Sequence, residues 1–186
     1  ENPSRETILD VLFFCKERGI KICFDPNIRL DLWDNEEYFR TMMDVYLSLT
    51  DIFYPSKEEL LFILNDNTLN EQEAIDKLMD KYPIKIVALK LGKDGCLIKK
   101  RDDFFLTIPS FEVPVIDTTG AGDGFNAGFI FALTEELSLE EAGIIGNAVG
   151  ALVIQKKGAM TSLPTRFELV DFLMKQQLRI NFGVSD

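Results

Sequence analysis

Histidine is absent from the 186 residues, and no other single feature excludes as much chemistry. Ser-His-Asp hydrolysis, imidazole general bases and the usual zinc sites all need a ring that this chain lacks. Proton transfer is left to carboxylates and lysine. Cysteine is scarce: Cys15, Cys23 and Cys96 are the only three, without a C-x-x-C pair. Each lies in an apolar stretch, so reduced, buried thiols are expected rather than a disulfide framework or a metal cluster. Positive charge is short as well, with 20 Lys and Arg against 31 Asp and Glu and a net charge of -11. With no long basic tract, nucleic acid and anionic membranes are poor general partners, and any bound polyanion must be held by local geometry. There is no run long enough to span a bilayer and no basic-then-apolar leader, which makes a soluble cytoplasmic protein the expectation.

What is present fits one domain with a real core, since 46% of the residues are hydrophobic and the length allows substantial burial. The first residue is Glu1, not methionine, and a helical pattern starts almost at once, as in a fragment or processed product. Ile8, Leu9, Leu12 and Cys15 recur at helical spacing before Gly19, predicting a helix over 5–18. A strand over 20–24 ends at Asp25-Pro26, leaving Asp25, Asn27 and Arg29 just past its carboxyl end. A helix over 36–47 follows, then a strand over 51–54 halted by Pro55. Ser56-Lys57-Glu58-Glu59 and Asn70-Glu71-Gln72-Glu73 both have capping-box spacing, each opening a helix. Strands are predicted over 84–91, 96–99, 104–108 and 111–116, with a turn at Gly92-Lys93-Asp94-Gly95. The remainder is helical: one helix through Phe125, Phe129, Ala132 and Leu133, one capped by Ser138 and stopped by Gly158, and one capped by Thr165. The whole predicts a doubly wound, mostly parallel α/β sheet with an antiparallel edge hairpin. In such sheets ligands gather at the carboxyl ends of strands.

Asp117-Thr118-Thr119-Gly120-Ala121-Gly122-Asp123-Gly124 joins a predicted strand to a predicted helix. Small residues let the backbone approach a ligand, and the first N–H groups of a helix favour an anion there. Asp123 inside such a turn repels phosphate unless it has a task, and accepting a proton from an attacking hydroxyl is one. A glycine turn before a helix is as often merely structural, so the flanking residues must decide.

This turn resembles the second signature of the ribokinase-like, PfkB-type sugar kinases, D-T-x-G-A-G-D before a helix. Phe24-Asp25-Pro26-Asn27-Ile28-Arg29 with Leu32-Trp33 is similar to a segment of the family's fructokinase and 2-keto-3-deoxygluconate kinase branches. Lys90-Leu91-Gly92-Lys93-Asp94-Gly95 resembles its nucleotide-side hairpin, and Lys157-Gly158-Ala159 with Leu163-Pro164 its C-terminal stretch. The resemblance covers the later part of the family pattern, with the N-terminal section and lid strands absent. It implies Gly120, Ala121 and Gly122 as an anion hole, Asp123 as the base on the sugar hydroxyl, and Arg29 as a cation on the phosphate or an acidic sugar group. It implies Lys90, Gly92, Gly95 and Asn147 on the nucleotide, although a helix-packing contact would also explain Asn147. Glu59 would stand on the Mg²⁺ side, where the family's N-x-x-E has Ser56 in place of asparagine, or would serve only in its capping box. Trp33 is expected to pack rather than stack on sugar. A monovalent cation such as K⁺ would take Asp117, Thr119, Val153, Lys156, Gly158 and Ser162. ATP and Mg²⁺ are the implied cofactors, a small sugar the partner, and a homodimer a further possibility for a full-length protein. Ala159 favours fructose over 2-keto-3-deoxygluconate as substrate. A nucleotide-binding module without catalysis is the alternative of another class.

Overall fold

A computed structural model describes residues 2–33 and 35–180. Five strands, β1 (Cys23–Phe24), β2 (Ile52–Phe53), β3 (Ile86–Lys90), β4 (Cys96–Lys100) and β5 (Phe105–Ile108), form one sheet in that order. β1 to β3 are parallel, with Cys23 opposite Ile52 and Ile52 opposite Ile86. β4 runs antiparallel to β3, because hydrogen bonds join Leu91 to Gly95 at one end and Arg101 to Lys85 at the other. The expected mixed, mostly parallel α/β class is therefore the observed one. The chain separates into two compact units, Glu1–Leu89 with Lys99–Phe105, and Lys90–Ile98 with Leu106–Asp186.

In the first unit, α1 (Asn2–Glu17) begins earlier than predicted, since Pro3 in a first turn costs no helix hydrogen bond. α2 (Glu36–Leu49), α3 (Lys57–Leu64) and α4 (Glu71–Lys81) start at side-chain caps from Asn35, Ser56 and Asn70. Both expected capping boxes close, with Glu59 and Glu73 reaching back to their cap residues. Buried Asp51 accepts from the Ile22 N–H at 3.0 Å and pairs with Lys85 at 2.8 Å and Lys16 at 3.4 Å. These pairs hold its carboxyl below the usual range against the opposing effect of burial. Arg101 closes the end of α4, donating to the carbonyls of Met79, Tyr82 and Ile84 at 2.6 to 3.0 Å.

In the second unit, α5 (Ala121–Thr134) and α6 (Leu139–Val153) pack most extensively. A Cβ on Gly128 would lie 2.9 Å from the Ile145 oxygen, and one on Gly146 would lie 2.8 Å from the Phe125 ring. These glycines let the two helices approach backbone to backbone. α7 (Arg166–Lys175) starts at a Thr165–Glu168 capping box.

Three expectations need correction. Residues 111–116 form no strand, because Pro109 and Pro114 remove ladder donors and the apolar alternation serves a cavity wall instead. The strand expected over 20–24 contracts to two residues, with Ile20 49% exposed. Cysteine burial holds only for Cys96; Cys15 is half-buried and Cys23, on the sheet's edge strand, is exposed. All three thiols are unpaired, and burial pushes that of Cys96 up to about 12.

Candidate functional site

The second unit holds a cavity of about 660 Å³. Lys90 and the Gly92–Gly95 turn line it on one side, and residues 110–113 with Val115 on another. Thr118, Ala121, Gly122 and Phe125 of the glycine segment line it too, as do Asn147, Gly150, Ala151 and Ile154. Of the expected nucleotide residues, Lys90, Gly92, Gly95 and Asn147 are thereby brought together with Ala121 and Gly122.

The glycine segment is shaped by two constraints. Gly120 caps α5 with a φ of 82°, and a Cβ there would lie 3.0 Å from Ala159, so backbone conformation and close approach both call for glycine. The N–H groups of Gly122 and Asp123 then head α5 ahead of any carbonyl the helix could offer them. Lys90 adds positive charge at this end: a Cβ on Gly122 would lie 3.5 Å from its Nζ. Helix N-terminus and ammonium together put positive potential on this part of the cavity wall. Asp123 is exposed in the first turn of α5.

The opposite wall depends on Gly95 and Asn147. Gly95 has a φ of 92°, and a Cβ there would fall 2.0 Å from the Ile108 oxygen, so no other residue lets segment 108–110 pass. Buried Asn147 then holds that segment to α6. Its Nδ2 donates to the Ile108 oxygen at 3.1 Å and the Pro109 oxygen at 3.0 Å, with the Cys96 Sγ at 3.7 Å. The packing role weighed for Asn147 from sequence is thus present, and the residue lines the cavity as well.

Of the residues expected around a monovalent cation, Asp117, Thr119, Gly158 and Ser162 are joined by hydrogen bonds, and Val153 and Lys156 by a separate one. Asp117 accepts from the Thr119 hydroxyl at 2.7 Å, the Thr119 N–H at 3.0 Å and the Gly158 N–H at 3.0 Å. Those bonds, the Thr119 hydroxyl foremost, hold its pKa down at about 2. The Ile154 carbonyl accepts from the Ile116 and Asp117 N–H groups, and Val153 accepts from Lys156. Buried Ser162 donates to the Gly158 carbonyl. A fixed carboxylate, hydroxyls and backbone carbonyls are the hard oxygen donors such an ion takes.

Arg29 and Glu59 belong to the first unit. Arg29 is exposed and donates to its neighbour's carbonyl, Ile28, at 3.0 Å. Glu59 accepts from the Ile28 N–H at 2.9 Å and the Ser56 N–H at 2.8 Å. Both oxygens thus serve the backbone, tying the loop that carries Arg29 to the start of α3. Trp33 packs edge-on to Phe39, 5.1 Å between ring centroids, as expected. Among the described residues no group of three or more His, Cys, Asp or Glu side chains could hold a metal ion.

Sequence reasoning missed the wall formed by Phe111, Val113 and Val115. Its signal, apolar residues at every second position, was there and was taken for a strand.

Comparison with known proteins agrees with this geometry. Residues 1–166 match the model of the pfkB family carbohydrate kinases. Fructokinase-1 of Zea mays is 34% identical over 93% of this chain and 55% of its own length. A fructokinase of Salmonella thompson is 34% identical over 90% of this chain and 77% of its own. A Vibrio cholerae O395 fructokinase, solved with fructose, ADP and calcium, superposes with a TM-score of 0.85 at 30% identity, over 93% of this chain and 57% of that one. The aminoimidazole riboside kinase of Salmonella enterica, solved with its riboside and an ATP analog, gives 0.83 at 32%, over 93% and 59%. The chain thus spans about half the length of most of these relatives. With the match covering most of the chain and the glycine segment, hairpin and cavity in place, the chain belongs to the pfkB family of carbohydrate kinases.

Proposed function

We propose that this chain is the nucleotide-binding and catalytic portion of an ATP-dependent sugar kinase, with fructose as the acceptor. The observation that carries this is the anion seat: glycine-headed α5, Lys90 beside Gly122, and a cavity leading away from both. Fructose is favoured because the maize and Salmonella relatives are fructokinases and the Vibrio neighbour was solved with fructose and ADP. Ala159 leans the same way against 2-keto-3-deoxygluconate.

Asp123 accepts the proton of the sugar hydroxyl as its oxygen attacks the terminal phosphorus; the bond from that phosphorus to the bridging oxygen breaks, and ADP leaves. The N–H groups around Gly120, Ala121 and Gly122 take the charge that builds on the phosphoryl oxygens. Lys90 adds a fixed cation. Mg²⁺ carried by ATP would supply charge neutralisation; Arg29 and Glu59, the candidates from sequence, belong to the first unit, and both Glu59 oxygens are taken by backbone N–H groups. K⁺ fits the Asp117, Thr119 and Ser162 oxygens, where it would brace the segment that leads into α5. Among the described residues no helix is long and apolar enough to cross a membrane. A cytoplasmic location and, for a longer chain, a homodimer accompany the same proposal.

A second reading is a nucleotide-binding module without catalysis, the cavity being lined within the second unit by Lys90, Gly92–Gly95 and Asn147. Calorimetry separates the two. Heat from Mg-ATP but none from fructose supports a nucleotide half-site, whereas sugar binding by these residues alone contradicts it. In a polypeptide of the relatives' full length, Asp123→Asn is expected to lower kcat by about 10² to 10⁴-fold with ATP binding nearly kept. An unchanged kcat refutes Asp123 as the base. ADP release with fructose, ribose and ketodeoxygluconate then identifies the sugar.

A further inference from the structure

We infer that Phe172 of α7 is a positioning residue for the nucleotide: it props Phe111, and Phe111 sets how closely the apolar wall stands to the bound base; this rests on the nucleotide reading above. Two clamps define that wall. Asn147 and Gly95 hold its root, where the Asn147 Nδ2 donates to the Ile108 and Pro109 oxygens at 3.1 and 3.0 Å and a Cβ on Gly95 would fall 2.0 Å from the Ile108 oxygen. The Ile154 carbonyl holds its far end, accepting from the Ile116 N–H at 2.7 Å and the Asp117 N–H at 3.2 Å. Between the clamps, residues 110–115 make no backbone hydrogen bond with the described residues of their unit. Main chain without such bonds has no ladder to fix its path, so a side-chain contact is left to hold it.

That contact is with α7. The Phe111 ring meets the Phe172 ring edge-on, 5.1 Å between centroids at 75°, and Phe111 lines the cavity as well. Phe172 is not what keeps α7 in place. Leu169 and Leu173 are buried and the Thr165–Glu168 box closes the helix head, whereas Phe172 is only half-buried. By helical spacing it shares a side with these two leucines, so an anchored helix presents its ring to an otherwise untethered wall. With phosphate at the head of α5 and Lys90, the apolar lining at Phe111, Val113, Val115 and Ile154 is what a base would meet. Edge-to-face pairing fixes direction as well as distance. Removing the Phe172 ring leaves Phe111 free to fall back towards α7 or swing into the cavity, and either movement spoils the fit to a base while the phosphate end stays as it was.

The test is calorimetry of this chain with Mg-ATP and with magnesium tripolyphosphate, which has the phosphates and no base. Phe172→Ala is expected to weaken Mg-ATP by about 10-fold and tripolyphosphate by less than about 2-fold. Phe172→Leu, which restores bulk without a ring, should fall between Phe172→Ala and the unaltered chain. In a Phe111→Ala background Phe172→Ala should cost nothing further, because its effect runs through Phe111. Phe167→Ala is the control: Phe167 is 88% exposed on the same helix, and both affinities should stay unchanged. An unaltered Mg-ATP affinity in Phe172→Ala overturns the inference while leaving the nucleotide site intact, as does equal weakening of the two ligands or full additivity with Phe111→Ala. Failure of the unaltered chain to bind Mg-ATP overturns the nucleotide reading and the inference with it. Should Phe172→Ala not fold, as judged by circular dichroism, Phe172→Leu against the unaltered chain decides.

Discussion

Replacing Gly128 by alanine places a methyl where α5 and α6 touch backbone to backbone. The new Cβ would stand 2.9 Å from the Ile145 oxygen, 2.9 Å from Val149 Cγ2 and 3.2 Å from Gly146 Cα. Ordinary contact starts at 3.4 Å, so the shortfall is about half an ångström against atoms of which two are main chain. The valine can rotate; the carbonyl and the Cα move only if a helix moves. Overpacking of this kind costs about 1–3 kcal/mol, while alanine returns about 0.8–1 kcal/mol of helix propensity. The net expectation is a loss of up to about 2 kcal/mol. Gly150→Ala is the matched contrast, since its Cβ would meet nothing closer than 3.4 Å. There the propensity gain stands unopposed, at about 0.8–1 kcal/mol. Urea unfolding followed by far-ultraviolet circular dichroism measures both. A midpoint for Gly128→Ala at or above that of the unaltered chain, or equal shifts for the two variants, would refute the close-approach reasoning.

Acid should weaken the chain as pH falls from about 4.5 towards 2. Hydrogen bonds hold Asp117 and Glu168 at about 2, below their ordinary values of 3.8 and 4.5; the stabilisation is complete above those ordinary values and is lost as pH falls through the folded ones. Melts at stepped pH check this, and Asp117→Asn should show a shallower acid loss. Arg101→Ala is expected to cost about 1–3 kcal/mol in denaturant titration by unpairing three carbonyls, and Arg101→Lys should recover less than half, since an ammonium does not fork. Glu59→Ala removes the capping box and the Ile28 tether together, for about 1–2 kcal/mol. Hydrogen exchange should quicken at the Ile28 and Ser56 amides, and unchanged rates there would show that the tether does not form.

Capping chemistry made the helices legible. Ser56, Asn70, Ser138 and Thr165 each sit three residues before a glutamate, and each closes a capping box, because that interaction is local in the chain. Strand ends were less legible, since β1 and β2 keep only two residues each and their limits depend on a neighbour's register. The glycine segment was readable as the head of a helix, because its residues are adjacent in the chain. The wall at 111–115 misled: alternation reports two faces, and one of them here looks into a cavity. Asn147 was found but half understood, as its partners lie 38 and 39 residues away. Likewise, that Glu59 reaches Ile28, 31 residues away, could be known only from the fold.

The bond from the Gly158 N–H to Asp117 joins residues 41 apart, and Ile154 accepts from Ile116 and Asp117 beside it. Everything between, α5 and α6 included, is a hairpin buckled at its open end. Its two chain ends leave side by side, and the Asn147 bonds to the Ile108 and Pro109 carbonyls fasten its far limb to the end of β5, so a tilt of α6 is shared by the head of α5 and by the strand before it.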